Sequence, residues 1–78
     1  MTTKKHDTEQ RINKIAEKLK QLRKDRNFTS YEDFALEYDL DRKQYWRVEN
    51  GSNITIKTLI KILDIYDLSL SKFFSDIE

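Results

Sequence analysis

The sequence has no cysteine, no proline and a single glycine among its 78 residues. Without cysteine there is no disulfide scaffold, no thiolate metal site and no cysteine nucleophile. The one histidine, His6, sits near the N-terminus. A His-based metal centre or a Ser-His pair therefore has little to draw on, and neither a metal nor another cofactor is expected. No apolar run approaches the ~18 residues needed to cross a bilayer. The opening MTTKKHDTEQ lacks the apolar core of a signal peptide. The expectation is a cytoplasmic protein with no membrane partner and no small-molecule substrate. The scarcity of helix breakers and the 37% of charged residues point to helices with wet outer faces. A chain this short makes one domain and buries only roughly 60–65% of its unfolded surface. Its stability then depends on close helix packing or on pairing with a second copy. No nucleophile-base pair and no phosphate-cradling glycine loop is visible, so an enzyme is not expected.

Charge is present in quantity but is unevenly placed. The net charge is +1. Residues 1–26 carry nine Lys/Arg against four Asp/Glu, whereas residues 27–41 carry five acids and no base. Residues 42–53 are basic again, with three bases and one acid. A local basic patch matters more than the total for a polyanionic partner.

Residues 1–9 are polar and aperiodic and read as a flexible tail; residues 10–78 read as one all-helical domain. From Arg11 a helical period begins, with Ile12, Ile15, Ala16, Leu19 and Leu22 on one face and Lys14, Lys18, Lys20 and Lys24 on the other. Asn27 suits a left-handed stop. Ser30 suits an N-cap for a short helix over about 31–38, with Phe34, Ala35 and Tyr38 inward. Asp39-Leu40-Asp41 reads as a tight turn, Asp being tolerant of the left-handed region. Asp41 caps a third helix over about 42–49, with Tyr45 and Val48 inward, and Asn50-Gly51 ends it. Thr55 or Ser52 caps a fourth helix whose stripe is Ile56, Leu59, Ile60, Leu63 and Tyr66. After Asp67-Leu68, Ser69 caps a fifth helix bearing Leu70, Phe73, Phe74 and Ile77.

The informative stretch is Ser30 to Gly51, two short helices joined by a three-residue turn. The second helix exposes Arg42, Lys43, Gln44, Trp46 and Arg47. Arg can bind guanine O6 and N7 in a bidentate way, and Gln can pair similarly with adenine, so such a helix suits the major groove. A tryptophan is more often a core residue, but Tyr45 and Val48 already occupy the inward face, which leaves Trp46 outside.

The ordered set Leu22-Arg23, Ser30-Tyr31-Glu32-Asp33-Phe34-Ala35, Asp39-Leu40-Asp41, Tyr45-Trp46-Arg47-Val48-Glu49-Asn50-Gly51, Thr58-Leu59-Ile60-Lys61-Ile62-Leu63 and Ser69-Leu70-Ser71-Lys72-Phe73-Phe74 resembles the Xre-type, lambda-repressor-like and Cro-like helix-turn-helix family. The likeness covers about residues 12–77. It implies a five-helix fold, with the helix-turn-helix at about 30–50, and sequence-specific binding of double-stranded DNA by a small transcriptional regulator, a repressor in the first instance. By the same resemblance Arg42, Lys43, Trp46 and Arg47 meet base edges. Ser30, Tyr31, Gln44, Asn50, Ser52 and Asn53 meet phosphate or backbone, which sets register while base contacts set specificity. Arg23 and Glu49 are expected to form a structural ion pair, with phosphate contact a second role for Arg23. The sequence departs from the family pattern at Tyr31, Asp39 and Asp41, which stand where a glutamine, a glycine and a serine are usual.

Phe73, Phe74 and Ile77 are too many large apolar groups for one short helix to bury alone, so a homodimer interface is expected there. The alternative function is a protein-interaction module, an antitoxin or anti-repressor that keeps the fold and works through a protein partner. The acidic block at residues 32–41 favours it. A single-strand binder would need more stacking aromatics than Tyr31 and Trp46.

Overall fold

In the computed structural model, which describes residues 4–75 and 77, the chain forms five α-helices: α1 (Lys4–Asp25), α2 (Tyr31–Glu37), α3 (Arg42–Glu49), α4 (Ile56–Ile65) and α5 (Leu70–Ser75). No strand is present among the described residues. Residues 1–3, 76 and 78 lie outside the description, as do the side chains of residues 4–7, including that of His6.

Each helix boundary has a local cause. Ser30 Oγ accepts from the Glu32 and Asp33 amides at the start of α2. The Asp41 carboxylate accepts from the Gln44 amide at 2.8 Å to start α3, Thr55 caps α4 through the Thr58 amide, and Ser69 caps α5 through the Lys72 amide. Each cap satisfies an amide that has no partner within its helix.

The ends share one device. Asn27, Asp39, Gly51 and Asp67 have φ of 71°, 57°, 83° and 53°. In each case the following amide turns back to a carbonyl of the last helical turn: Phe28 to Arg23, Leu40 to Ala35, Ser52 to Arg47 and Leu68 to Leu63. These are Schellman stops. Only one uses glycine; short polar side chains occupy the left-handed region at the other three. At Gly51 the constraint is the φ of 83° itself, since a Cβ there would meet only Asn13 Oδ1, the end of a flexible side chain.

The stops aim apolar residues inward. Phe28, Leu40 and Leu68 each follow a left-handed residue and pack on the core of Leu19, Phe34, Ala35, Tyr45, Val48, Leu59, Ile62, Leu63 and Phe73. Phe34 is the hub. Its ring lies 5.4 Å from Phe28, 4.8 Å from Tyr38, 5.1 Å from Tyr45 and 5.8 Å from Tyr66, centroid to centroid. It thereby ties α2 to α3, to both flanking turns and to the end of α4.

Two expectations change. The first helix begins at Lys4, not at Arg11. Residues 4–10 contain no Gly or Pro, and Lys, Glu and Gln are good helix formers; an established helix extends through them without an apolar period. In α4 the buried residues are Leu59, Ile62 and Leu63, while Ile56 and Ile60 are 65% and 40% exposed. Helical spacing allows two overlapping stripes on this helix, and packing against its neighbours selects the one that contains Ile62.

Phe34→Ala should lower stability by about 3–5 kcal/mol, the usual cost of emptying a buried aromatic site. Urea denaturation followed by circular dichroism measures this, and a loss below about 1 kcal/mol would deny Phe34 its central place.

Candidate nucleic-acid interface

The α2–turn–α3 unit presents one side of α3 to solvent. Tyr45 and Val48 are 2% and 4% exposed and fasten the helix to the core. Arg42, Lys43, Trp46 and Arg47 are all exposed. Together with Tyr31 and Glu32 they line one open, concave surface between the starts of α2 and α3. Tyr31 is half-buried at its rim and packs against the core.

The other flank of α3 faces the loop to α4. Gln44, Arg47, Ser52, Asn53, Thr55 and Thr58 line a narrower notch there. Gln44 leans across it, its Nε2 donating to Thr58 Oγ1 at 3.5 Å. Arg47 borders both surfaces and stands at the crest between them. Asn50 Nδ2 donates to the Trp46 carbonyl at 2.8 Å, which closes the end of α3. Ser30 is half-buried, with its oxygen committed to the α2 cap.

A buried ion pair holds α3 at this angle. Arg23 is 4% exposed. Its Nε donates to Glu49 Oε2 at 2.8 Å and its Nη2 to Glu49 Oε1 at 3.1 Å, while Nη1 donates to the Phe28 carbonyl at 2.6 Å. The Tyr45 hydroxyl donates to the same Glu49 carboxylate. One guanidinium therefore joins the end of α1, the loop after it and the last turn of α3. The hydrogen bond to Glu49 moves Arg23 up from its already high value, so it remains charged. Removing one partner of such a buried pair strands the other charge, at about 3–5 kcal/mol. The expected phosphate contact of Arg23 does not fit this placement: its side chain is enclosed and its three nitrogens are already engaged.

Phe73 requires a second correction. It is fully buried, beneath the Lys18 ammonium 5.6 Å above its ring, and so cannot form part of a partner surface. Short as α5 is, it lays Phe73 into the core. Phe74, 41% exposed, and the partly exposed Ile77 are left on the outside, where they line a groove with Arg11 and Ile15.

Two residues that the sequence pattern does not mark for DNA contact border these surfaces. Glu32 shares the concave surface with Arg42, and Thr58 receives Gln44; both juxtapositions are tertiary. The acidic block was the available signal for Glu32. Among the described residues no group of three or more His, Cys, Asp or Glu is placed to hold a metal ion, and no helix is long and apolar enough to cross a membrane.

Five helices, a tight turn between the second and third, and a polar, cationic outer face on the third define a helix-turn-helix protein. The helix-turn-helix family model matches residues 19–73, and the chain belongs to that family, in its Xre-like, lambda-repressor-like form. It is a DNA-binding transcriptional regulator. It is similar to Control protein C.MunI from Mycoplasma sp, with 44% identity over 66 residues that cover 83% of this chain and 89% of that protein. No solved structure matches the chain.

The buried phenols tie stability to alkaline pH. Burial is the main reason that Tyr45 ionises above its ordinary value, and donation to Glu49 adds to it. Tyr66 is raised first by burial and then by the negative charge of Glu49. In the unfolded chain both ionise near pH 10, whereas the folded chain keeps them protonated. The folded state then binds more protons, so their contribution is fully present below pH 10 and declines above it, by about 1.4 kcal/mol per pH unit per tyrosine. Urea midpoints measured between pH 8 and pH 11 should stay level and then drop, and Tyr66→Phe should make the drop shallower.

Proposed function

We propose that α3 enters the major groove and that this regulator represses by occupancy, its bound form blocking polymerase. Arg42, Lys43, Trp46 and Arg47 meet base edges. Arg supplies the bidentate fork for guanine, and Trp46 supplies an apolar face for a thymine methyl group. The observation that carries this reading is the division of α3: Tyr45 and Val48 are buried while three cations and Trp46, itself 47% exposed, point outward.

Ser30, Tyr31, Gln44, Asn50, Ser52 and Asn53 set the register on the sugar-phosphate chain. Ser30 accepts two amide hydrogen bonds, which leaves its O–H to donate to a phosphate. Ser52 and Asn53 are exposed in the loop beside the start of α4, where they can follow the backbone next to the groove. Gln44 reaches toward that loop and not along the crest of α3, which supports a backbone role for it.

Two copies bind together, each reading one half-site, with centres about one helical turn or 34 Å apart. The pairing surface is the exposed side of α5. Phe74 lies there at 41% exposure, with Leu70 one turn before it at 38% and Ile77 after it.

Selection from random duplex DNA should enrich a short two-part motif. Arg42→Ala with Lys43→Ala should abolish the preference while leaving weak, salt-sensitive binding; an unchanged motif would overturn the assignment of α3. Each lost phosphate contact should flatten the log–log salt dependence by about 0.9. For pairing, sedimentation at tens of micromolar should give a dimer mass, alone or on DNA, that Phe74→Glu reduces to a monomer. A monomeric mass in both conditions would refute the pairing.

A further inference from the structure

The concave surface beside α3 holds one carboxylate among three cations. Glu32, at the start of α2, lies with its Oε2 3.6 Å from Arg42 Nη1. Both side chains are well exposed, at 53% and 64%, so the pair adds little to the stability of the fold. Lys43 and Arg47, the other cations of this surface, make no ion pair among the described residues. An acid in this position opposes any polyanion, yet it is aimed at the first residue of the helix assigned to the groove. That is a weak device for holding a fold together and a well-placed one for controlling where a guanidinium goes.

We infer that Glu32 is a positioning residue for Arg42 that raises DNA selectivity by keeping the guanidinium from phosphates and directing it to a base edge. This rests on the major-groove assignment of α3 and adds a residue to it. On a random duplex, Arg42 has two anionic choices, a phosphate or Glu32. The carboxylate competes for the guanidinium and repels the backbone, so non-specific binding is weakened. On the correct base pair, guanine offers two fixed acceptors, O6 and N7. Part of the Arg42 fork can use them while another N–H stays on Glu32, so little is lost. Glu32 thus lowers the affinity for wrong DNA more than for right DNA, which is how a repulsive group produces specificity.

The test compares the full chain with Glu32→Gln, Arg42→Ala and the double variant. Each binds two duplexes of equal length, the selected motif and a scrambled sequence, at two salt concentrations. Glutamine keeps the size and the acceptor and removes the charge. Glu32→Gln should tighten binding to the scrambled duplex about two- to fivefold and steepen its salt slope by about 0.9, one added phosphate contact. Affinity for the selected motif should change less, so that discrimination falls. In the Arg42→Ala background, Glu32→Gln should leave the discrimination ratio where it was. An equal gain on both duplexes would reduce Glu32 to plain repulsion and overturn the inference, as would the same shift in the absence of Arg42. If Arg42→Ala alone leaves the motif preference intact, the major-groove assignment falls and this inference falls with it. If Arg42→Ala removes the preference and Glu32→Gln leaves discrimination unchanged, only the role of Glu32 is lost.

Discussion

The Arg23 guanidinium is the joint on which the architecture turns. It reaches from the last turns of α1 to Glu49 at the end of α3 and to the Phe28 carbonyl between them. The Tyr45 hydroxyl donates to the same carboxylate, so the pair is tied to the buried face of α3 as well as to its end. Enclosing two charges is costly unless their remaining donors and acceptors are satisfied. The Phe28 carbonyl and the Tyr45 hydroxyl meet that condition. The consequence is geometric. A helix of eight residues held only by Tyr45 and Val48 could roll about its axis; a bidentate pair at its end removes that freedom. The direction in which Arg42, Lys43 and Arg47 point is therefore fixed from the buried side of α3.

The four left-handed stops do complementary work at the level of the chain. Each reverses the path within a few residues, and three of them pack a partly buried apolar residue against the core. A chain with so little glycine achieves this through Asn and Asp. These residues tolerate the conformation at some cost, which the hydrophobic contact made by the next residue offsets. The pairs Asn27-Phe28, Asp39-Leu40 and Asp67-Leu68 are one solution used three times. Asp39 thereby performs after α2 the backbone task that Gly51 performs after α3, at the expense of one more negative charge beside the turn.

These local devices explain why so much could be read in advance. The caps at Ser30, Asp41 and Ser69 and the stops at Asn27, Asp39, Gly51 and Asp67 act within a few residues, so the sequence alone places α2, α3 and α5 closely. The outward face of α3 follows from Tyr45 and Val48 by helical phase. Features that depend on distant partners were less visible. Residues 4–10 carry no apolar period, so nothing in their pattern marks the helix start at Lys4. The α4 pattern permits two stripes, and only its neighbours decide between Ile60 and Ile62. The burial of Phe73 depends on α1 and α4 leaving space for one more ring. Glu32 was legible as part of an acidic block, but its approach to Arg42 needed the angle between α2 and α3.

The dimensions of α3 set how much one copy can read. Eight residues make a helix about 12 Å long, and base pairs are spaced about 3.4 Å apart. In the proposed docking, α3 spans about three to four base pairs, and its four outward side chains have few edges to contact. A word that short recurs too often in a genome to direct a regulator. Stronger phosphate binding would not help, since it raises affinity for every sequence alike. The near-neutral chain follows the other course. Glu32 stands beside Arg42 at the start of α3 and Asp41 caps that helix, so local negative charge offsets part of its positive charge. In the proposed pairing, selectivity comes from joining two short words, and Leu70 and Phe74, exposed on α5, offer an apolar surface for it.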